Sequence, residues 1–368
     1  MRLLFRTSNN TSFDEASLVI VIALFLVTMV NASELMAEQQ VSEERVEQFL
    51  YSGDAFDVSF LQPTTAHKAW SVQQWTEELS QLRQLGTRSL IIQWSQYDKV
   101  IFFAEVGARD SLLHRVTTAA TEVGLDFYIG LPLNSDWLRP QHLDGKIVKS
   151  ALEQSEQVAA IIYQQFGQQK GFHGWYIPQE LTDSFYTDDQ RQLILDFFSS
   201  LTKVLHELDM LKLVLASGYT SPQNNHLVKF TMWWIRVLED SGIDILIFQD
   251  GAGTTDQQQW QVIEPYLEAI SLIGDEYTSN NIWFVAEIFT QIDGPSINNK
   301  PFRAEPANFE RVSQQLDMLG HLGKKLVSFS YFPYMRPANG VEEKRLYEKY
   351  KKFVEQRAKF NRNSVVNR

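Results

Sequence analysis

Short apolar runs alternate with longer amphipathic segments along most of this chain. Runs such as LKLVLAS and IDILIF are rich in branched residues and largely apolar on both faces, which is typical of parallel strands buried beneath helices. The runs predicted as strands are 55–61, 89–94, 125–131, 174–178, 211–217, 243–248, 281–288 and 326–331.

The segments between these runs have the periodicity of helices. In the first segment, Trp75, Leu79 and Leu82 fall three or four residues apart and form one apolar stripe. The predicted helices are 71–85, 109–123, 147–166, 188–208, 225–241, 257–274, 306–319 and 341–357. This strict alternation predicts an α/β fold, a single (β/α)8 TIM barrel. An open doubly wound sheet is the alternative, and it is disfavoured because no phosphate-binding glycine loop follows the first strand.

The barrel is predicted to occupy residues 54–357 as one domain, since no linker or change of composition interrupts that stretch. Residues 33–53 are polar and acidic and are interpreted as a leader. Residues 358–368 are interpreted as a mobile C-terminal tail.

The N-terminal segment, residues 1–32, has the layout of a signal peptide. Residues 17–30 are uncharged, Arg2 and Arg6 precede them, and Ala32 is a small residue placed for signal peptidase. The run is shorter than the about 20 residues of a membrane-spanning helix. Acidic residues at 14 and 15 are unusual before such a run, so an uncleaved inner-membrane anchor is the alternative. Both interpretations place the body outside the cytoplasm, periplasmic or secreted.

The composition of the chain excludes several kinds of binding partner and reactive site. The chain has 45 acidic and 33 basic residues, for a net charge of −12, and no basic stripe, which excludes a nucleic-acid surface. It has no cysteine, so disulfides, thiolate zinc sites and a thiol nucleophile are excluded as well. Its histidines lack the spacing of metal ligands. No metal and no cofactor are predicted.

The strand ends hold most of the candidate chemistry, because catalytic groups of a parallel barrel gather where strands end. Amides and carboxylates there can bond sugar hydroxyls, and aromatic rings can stack on sugar faces. The predicted substrate-binding residues are Gln93, Trp94, Asn134, Gln179, Tyr219, Asp250, Tyr331 and Tyr334.

Two glutamates follow apolar runs at strands four and seven and are predicted to be catalytic. Glu180 ends GWYIPQE and Glu287 ends WFVAE. Glycoside hydrolysis needs one carboxylic acid to protonate the leaving oxygen and one carboxylate to act on the anomeric centre. A separation of about 5–5.5 Å would mean retention of configuration, and a wider one inversion. A structural ion pair or cap is the alternative role for each glutamate.

This arrangement resembles the clan A (four/seven) glycoside hydrolases. More specifically, GWYIPQE, IFQDGAG and WFVAEIF are similar to motifs of bacterial glycoside-hydrolase-like barrels catalogued as domain of unknown function number 4434, over roughly residues 54–340. The resemblance implies that Glu180 is the acid/base and Glu287 the nucleophile. Gln179 stands where the clan has an asparagine that bonds the sugar 2-hydroxyl, so substrate preference is expected to differ.

Asp250 has three candidate roles: raising the pKa of Glu287 by like charge, bonding a sugar hydroxyl, or capping a turn. The leading hypothesis is an exported glycoside hydrolase, retaining and endo-acting on a bacterial polysaccharide. The alternative is a non-catalytic carbohydrate-binding barrel that is accessory to exopolysaccharide synthesis or export. A metal-dependent deacetylase is disfavoured because the strand ends lack histidine.

Overall fold

Eight parallel strands form a closed barrel. The computed structural model describes residues 55–104, 110–221, 226–255, 257–276, 281–292, 302–322 and 324–366. The strands are β1 (Val58–Leu61), β2 (Ser89–Ile92), β3 (Asp126–Gly130), β4 (Phe172–Thr182), β5 (Leu213–Tyr219), β6 (Ile245–Gln249), β7 (Asn281–Glu287) and β8 (Leu326–Phe329). Each pairs with the next, and β8 pairs with β1 to close the ring. The predicted (β/α)8 fold is confirmed.

A ring of helices surrounds the barrel. The helices are α1 (Val72–Gln84), α2 (Leu112–Val123), α3 (Gly145–Phe166), α4 (Asp188–Leu208), α5 (Leu227–Asp240), α6 (Gln257–Glu276), α7 (Phe309–Gly320) and α8 (Val341–Val366). The last helix continues through Val366, so most of the segment interpreted as a mobile tail is helical, and its mobility stays a prediction.

Local sequence explains where several helices begin. Ser71 and Thr187 each accept a hydrogen bond from the backbone N–H three residues later, and the glutamine there bonds back to the cap residue. This reciprocal capping satisfies two donors that a helix start otherwise leaves unpaired. At the other end of α2, Gly124 adopts φ 73°, a left-handed conformation that glycine takes without a steric penalty.

Two apolar layers stabilise the barrel. One fills its interior and is built from side chains such as Phe60, Tyr176, Ile247 and Val285. The other lies between the outer face of the sheet and the helices. Because strand side chains alternate between these layers, both faces of each strand are apolar, as the sequence pattern indicates.

β4 is the longest strand and extends past its predicted end at residue 178. It pairs with β5 up to Thr182 and Tyr219, with an irregular register between Ile177 and Leu181. Glu180 therefore lies within the last, irregular part of the strand rather than after it.

The predicted signal segment 1–32 and the leader 33–53 lie outside the described residues and stay predictions. Among the helices that the structure describes, none is long and apolar enough to cross a membrane.

Candidate active site

The two glutamates predicted from strands four and seven lie at the mouth formed by the carboxyl ends of the strands. Glu180 is two residues before the end of β4, and Glu287 is the last residue of β7. The charge of Glu180 contributes to the raised pKa of Glu287, so the two carboxyl groups are close enough to interact. The fold thus brings together two acids that are more than a hundred residues apart in sequence.

Glu180 is the more accessible of the two. Its side chain is partly exposed, and Gln249 at the end of β6 donates an amide hydrogen bond to its Oε1 at 2.8 Å. Burial raises the pKa of Glu180, and the hydrogen bond from Gln249 opposes that change. A carboxyl group with a raised pKa that still reaches the mouth is suited to carry a proton for transfer.

Glu287 is held by a close approach of backbone. It is 6% exposed, and its Oε2 accepts a hydrogen bond from the N–H of Gly253 at 2.8 Å. A β-carbon at position 253 would lie 2.6 Å from the ring of Phe289 and 2.9 Å from Glu287 Oε2. Only glycine allows this loop to reach the carboxylate, which explains the last glycine of the FQDGAG motif.

Asp250 is a support for Glu287 rather than a substrate contact. It is 1% exposed. Its Oδ1 accepts from the backbone N–H groups of Ala252 at 3.1 Å and Glu287 at 3.2 Å, and its Oδ2 accepts from the amide of Gln315 at 2.6 Å. The expectation that Asp250 binds sugar is wrong, because both of its oxygens are enclosed by protein donors.

Two polar residues on α7 complete this support and were missed by the sequence analysis. Arg311 donates to the backbone carbonyls of Glu287, at 3.1 Å, and of Ala252 and Phe289. Gln315 also donates to the carbonyl of Glu287 at 3.2 Å. The signal was present, since Gln315 interrupts the apolar stripe of α7 and is fully buried there. A buried amide in such a stripe needs polar partners.

The electrostatics favour a protonated Glu287 in the unliganded protein. Burial and the neighbouring negative charge of Asp250 raise the pKa of Glu287 to about 8, against the opposing effects of the Gly253 N–H and the Arg311 guanidinium. Burial also raises the pKa of Asp250. Two buried carboxyl groups whose charges interact cannot both ionise without cost.

Tyrosines surround Glu180. The hydroxyl of Tyr219, at the end of β5, hydrogen-bonds with Thr182, and burial together with the charge of Glu180 raises the pKa of Tyr219. Burial and the same charge raise the pKa of Tyr186 to about 12. The structure therefore places Tyr219 at the mouth beside Glu180, as expected, and adds Tyr186 from the loop after β4.

Aromatic rings also lie beside Glu287. Tyr334 stacks on Phe289 with ring centroids 5.1 Å apart, and burial and the charge of Glu287 raise its pKa to about 12. Phe329, the last residue of β8, packs on the barrel interior beside Phe60 and stays partly exposed. Phe329 thus adds an aromatic ring at the end of β8 to Tyr331 and Tyr334, the residues predicted from this segment.

Tyr331 is placed differently from the expectation. It is 1% exposed, and its hydroxyl donates to Glu78 on α1 at 3.4 Å, within the helix layer. The prediction that Tyr331 contacts substrate is corrected: the side chain is buried and faces α1.

Gln179 and Asn134 come together, but in a cavity beside α3 rather than at the glutamate pair. This cavity of about 200 Å³ is lined by both residues and by side chains of α3, without Glu180 or Glu287. The amide of Gln179 donates to the carbonyl of Pro132 at 2.9 Å, and Asn134 caps the N–H of Asp136. Their amides are therefore directed to the loop after β3.

Gln93 and Trp94 lie at the end of β2. Gln93 is buried, and Trp94 is partly exposed, with its indole N–H donating to the carbonyl of Pro63 at 3.1 Å. Their role in substrate binding stays a prediction. Within the described ranges, no group of three or more acidic or histidine side chains could hold a metal ion.

Comparisons with known proteins agree with this architecture. A profile of the family described as "Domain of unknown function (DUF4434)" matches residues 17–340. The chain is also 24% identical, over 290 residues, to the uncharacterized protein YbcH of Escherichia coli (strain K12). That alignment covers 77% of this chain and 91% of YbcH.

Solved barrels are similar in fold. A structure from Bacteroides thetaiotaomicron, described as a candidate alpha-L-fucosidase, superposes with a TM-score of 0.67 at 17% identity, covering 83% of this chain and 97% of that one. The beta-galactosidase of the psychrophilic Marinomonas ef1 superposes with a TM-score of 0.54 at 12% identity, covering 84% of this chain and 60% of that one. At these identities the likeness concerns the fold.

Proposed function

This chain belongs to the family described as domain of unknown function DUF4434, and from its barrel-mouth geometry we propose that it is a glycoside hydrolase. The observation that carries the proposal is the pair Glu180 and Glu287. Both lie in the last residues of barrel strands at one mouth, both are desolvated, and their charges interact. Similarity in fold to proteins described as glycosidases supports the same class.

In the proposed mechanism, Glu180 is the acid/base. Its protonated carboxyl donates a proton to the glycosidic oxygen while Glu287 attacks the anomeric carbon, which yields a glycosyl ester and a free alcohol. Glu180 then takes a proton from water, the water oxygen attacks the anomeric carbon, and the ester bond to Glu287 breaks. The sugar is released with retained configuration, and Glu180 is protonated again.

The proposal requires Glu287 to be ionised when substrate is bound. Burial and the charge of Asp250 raise its pKa, which favours the protonated form in the unliganded protein. That proton must pass to solvent before the attack, and the resulting carboxylate then stabilises the oxocarbenium-like centre as it develops. Hydrogen bonds from Gly253 to the carboxylate and from Arg311 to the neighbouring carbonyls keep the group in position.

The substrate is proposed to be a bacterial polysaccharide cleaved within the chain, outside the cytoplasm. Partly exposed aromatic side chains at the mouth, Tyr219 and Phe329, can stack against the C–H faces of sugar rings. The N-terminal signal pattern supports export. Mass spectrometry of the protein made with its N-terminus intact tests export, because cleavage after Ala32 is expected.

The central test measures release of reducing ends from a panel of bacterial exopolysaccharides. The wild type is compared with Glu287→Gln and with Glu153→Gln, a matched change of an exposed glutamate on α3. Only the Glu287 variant is expected to lose activity. Activity that survives Glu287→Gln would contradict the nucleophile assignment. Tight glycan binding by a wild type that releases nothing would instead favour the non-catalytic binding barrel.

Two further measurements test the stereochemistry of the reaction and the position of cleavage in the glycan. Nuclear magnetic resonance of the first product formed shows whether the anomeric configuration is retained or inverted. The size distribution of early products distinguishes cleavage within the chain from removal of terminal units.

A further inference from the structure

A second cavity lies on the rim of the same barrel mouth, between α1 and the loop after β8. Its volume is about 250 Å³, and it is lined by Trp70, Gln74, Glu77, Glu78 and Arg336. We name it the rim pocket. Because sites that enclose a drug-sized ligand measure about 300–1,000 Å³, this cavity suits a single ring-sized group.

The wall of the rim pocket is preorganised by the loop after β8. Arg336 donates to Glu78 Oε1 at 2.6 Å and to Asn339 at 3.0 Å, and its guanidinium lies 4.8 Å from the ring centroid of Trp70. Tyr331 donates to the second oxygen of Glu78 at 3.4 Å. The Nε of Arg336 is buried and has no hydrogen-bond partner among the described residues.

On the α1 side of the rim pocket, Gln74 and Glu77 have polar atoms that can bond a ligand. Gln74 uses its Oε1 to accept from Ser71 N–H, which leaves its amide nitrogen as a donor. Glu77 is exposed and accepts one hydrogen bond, from Gln73 at 3.2 Å, through Oε1. An aromatic ring, an amide donor and a carboxylate acceptor around a ring-sized space are the groups that recognise a sugar, which has hydroxyls at its edge and C–H bonds on its face.

The charge of the pocket restricts the type of sugar. Glu78 is neutralised by Arg336, whereas Glu77 forms no ion pair with any described residue, so the lining carries one excess negative charge. The whole chain adds to this field with its net charge of −12. A neutral or amino-substituted sugar is therefore favoured, and a uronic acid would be repelled.

The loop after β8 connects the pocket to the catalytic mouth. Tyr334 of this loop lies against Phe289 beside Glu287, while Arg336, two residues later, faces Glu78. We propose that the rim pocket is a distal subsite that binds one neutral or amino-substituted sugar unit of the glycan whose cleavage site lies at Glu180 and Glu287. This inference rests on the proposed function.

The test measures binding by titration calorimetry in the full chain carrying Glu287→Gln, so that cleavage does not interfere. The probes are oligosaccharides of two to eight units: xylo-oligosaccharides and chitin oligomers as neutral sugars, chitosan oligomers as amino sugars, and oligogalacturonates as uronic acids. Trp70→Ala and Glu77→Lys are compared with Glu153→Lys, which changes an exposed glutamate outside the pocket.

We expect a neutral or amino sugar series to bind more tightly as its length increases. Trp70→Ala and Glu77→Lys should each weaken the longest oligomer at least about fivefold, as the loss of one or two sugar contacts implies. Glu153→Lys should not. Trp70 packs on the buried Trp75, so Trp70→Ala could unfold the protein. Glu77 is exposed, and Glu77→Lys therefore tests the pocket in a folded chain.

Three results would overturn the inference: unchanged affinity in both pocket variants, no binding of any neutral or amino sugar, or tighter binding of oligogalacturonate than of neutral oligomers. Failure of the proposed function gives a different result. In that case no glycan is cleaved by the wild type, while the binding titrations still report on the pocket.

Discussion

Asp250 accepts a hydrogen bond from the backbone N–H of Glu287, and its negative charge raises the pKa of the carboxyl group of the same residue. The hydrogen bond fixes the end of β7, and the charge makes ionisation of Glu287 harder. One buried acid thus both positions and modulates another. The pair links a structural feature of the barrel to the pH dependence of the proposed reaction.

Asp250→Asn is expected to move the acid limb of the pH–activity profile to lower pH. Burial and Asp250 raise the pKa of Glu287 to about 8, and the proposed mechanism requires this carboxyl group to be ionised. Removing the like charge lowers that pKa, so activity should persist in more acidic solution. The measurement is kcat/KM against pH for wild type and variant.

The same substitution could also change the geometry of the site, and this effect can be distinguished from the loss of the Asp250 charge. The new amide would face the Nε2 of Gln315, and rotation of the Gln315 amide would present its Oε1, which has no hydrogen-bond partner in the described part of the chain. An acid limb that stays in place while kcat falls would show that Asp250 acts on geometry alone.

Thermal stability should fall as the pH rises. The folded-state pKa of Glu287 is about 8 against an ordinary value of 4.5, so the stability linked to this group is present at low pH and is lost between those values. A difference of one in pKa corresponds to about 1.4 kcal/mol. Melting temperatures between pH 5 and 9 should decline less in Glu287→Gln than in wild type. Parallel curves for the two proteins would argue against a buried, protonated Glu287.

Glu180→Gln is expected to lower activity on natural glycans by about 10²–10⁴, the usual contribution of a general acid. The effect should be smaller on an aryl glycoside with an acidic leaving group, because that group needs no proton to depart. Rates on the two substrate types are compared for wild type and variant. An equal loss on both would contradict the role of proton donor.

Gly253→Ala should displace the carboxyl group of Glu287, the proposed nucleophile, without adding any polar group. The new methyl would contact the Phe289 ring and Glu287 Oε2 at distances that real β-carbons do not show. We expect a stability loss of about 1–3 kcal/mol from overpacking, and a lower kcat. Gly145→Ala is the matched control, because a β-carbon there meets nothing within 4 Å. Chemical denaturation and kinetics of both variants are the measurements, and similar behaviour of the two would refute the close-approach argument.

The directions of the aromatic side chains at the end of β8 could not be predicted from the sequence. The segment after Leu326 was expected to supply aromatic contacts through Tyr331 and Tyr334. The structure keeps Tyr334 beside Glu287, directs Tyr331 to Glu78, and leaves Phe329 partly exposed at the mouth. A run of alternating aromatic residues does not reveal which ring turns inward, because the direction changes where the strand ends.

Gln179 illustrates the same limit for polar groups. Its position before Glu180 suggested a sugar contact, but its amide donates to Pro132. The register of β4 is irregular around this position, so a residue that adjoins a candidate catalytic acid in sequence need not share its cleft. Arg311 and Gln315 show the converse, since a helix far along the chain supplies the donors that hold β7.

The sequence by itself determined the alternation of strands and helices, the closed barrel, and the two glutamates at strands four and seven. Each of these follows from periodicity and from the rule that parallel strands end at one mouth. Only the tertiary structure decided that Asp250 supports Glu287, that Gly253 must be small, and that Tyr331 faces α1. Those outcomes depend on side-chain direction and on contacts between distant elements, which no local pattern encodes.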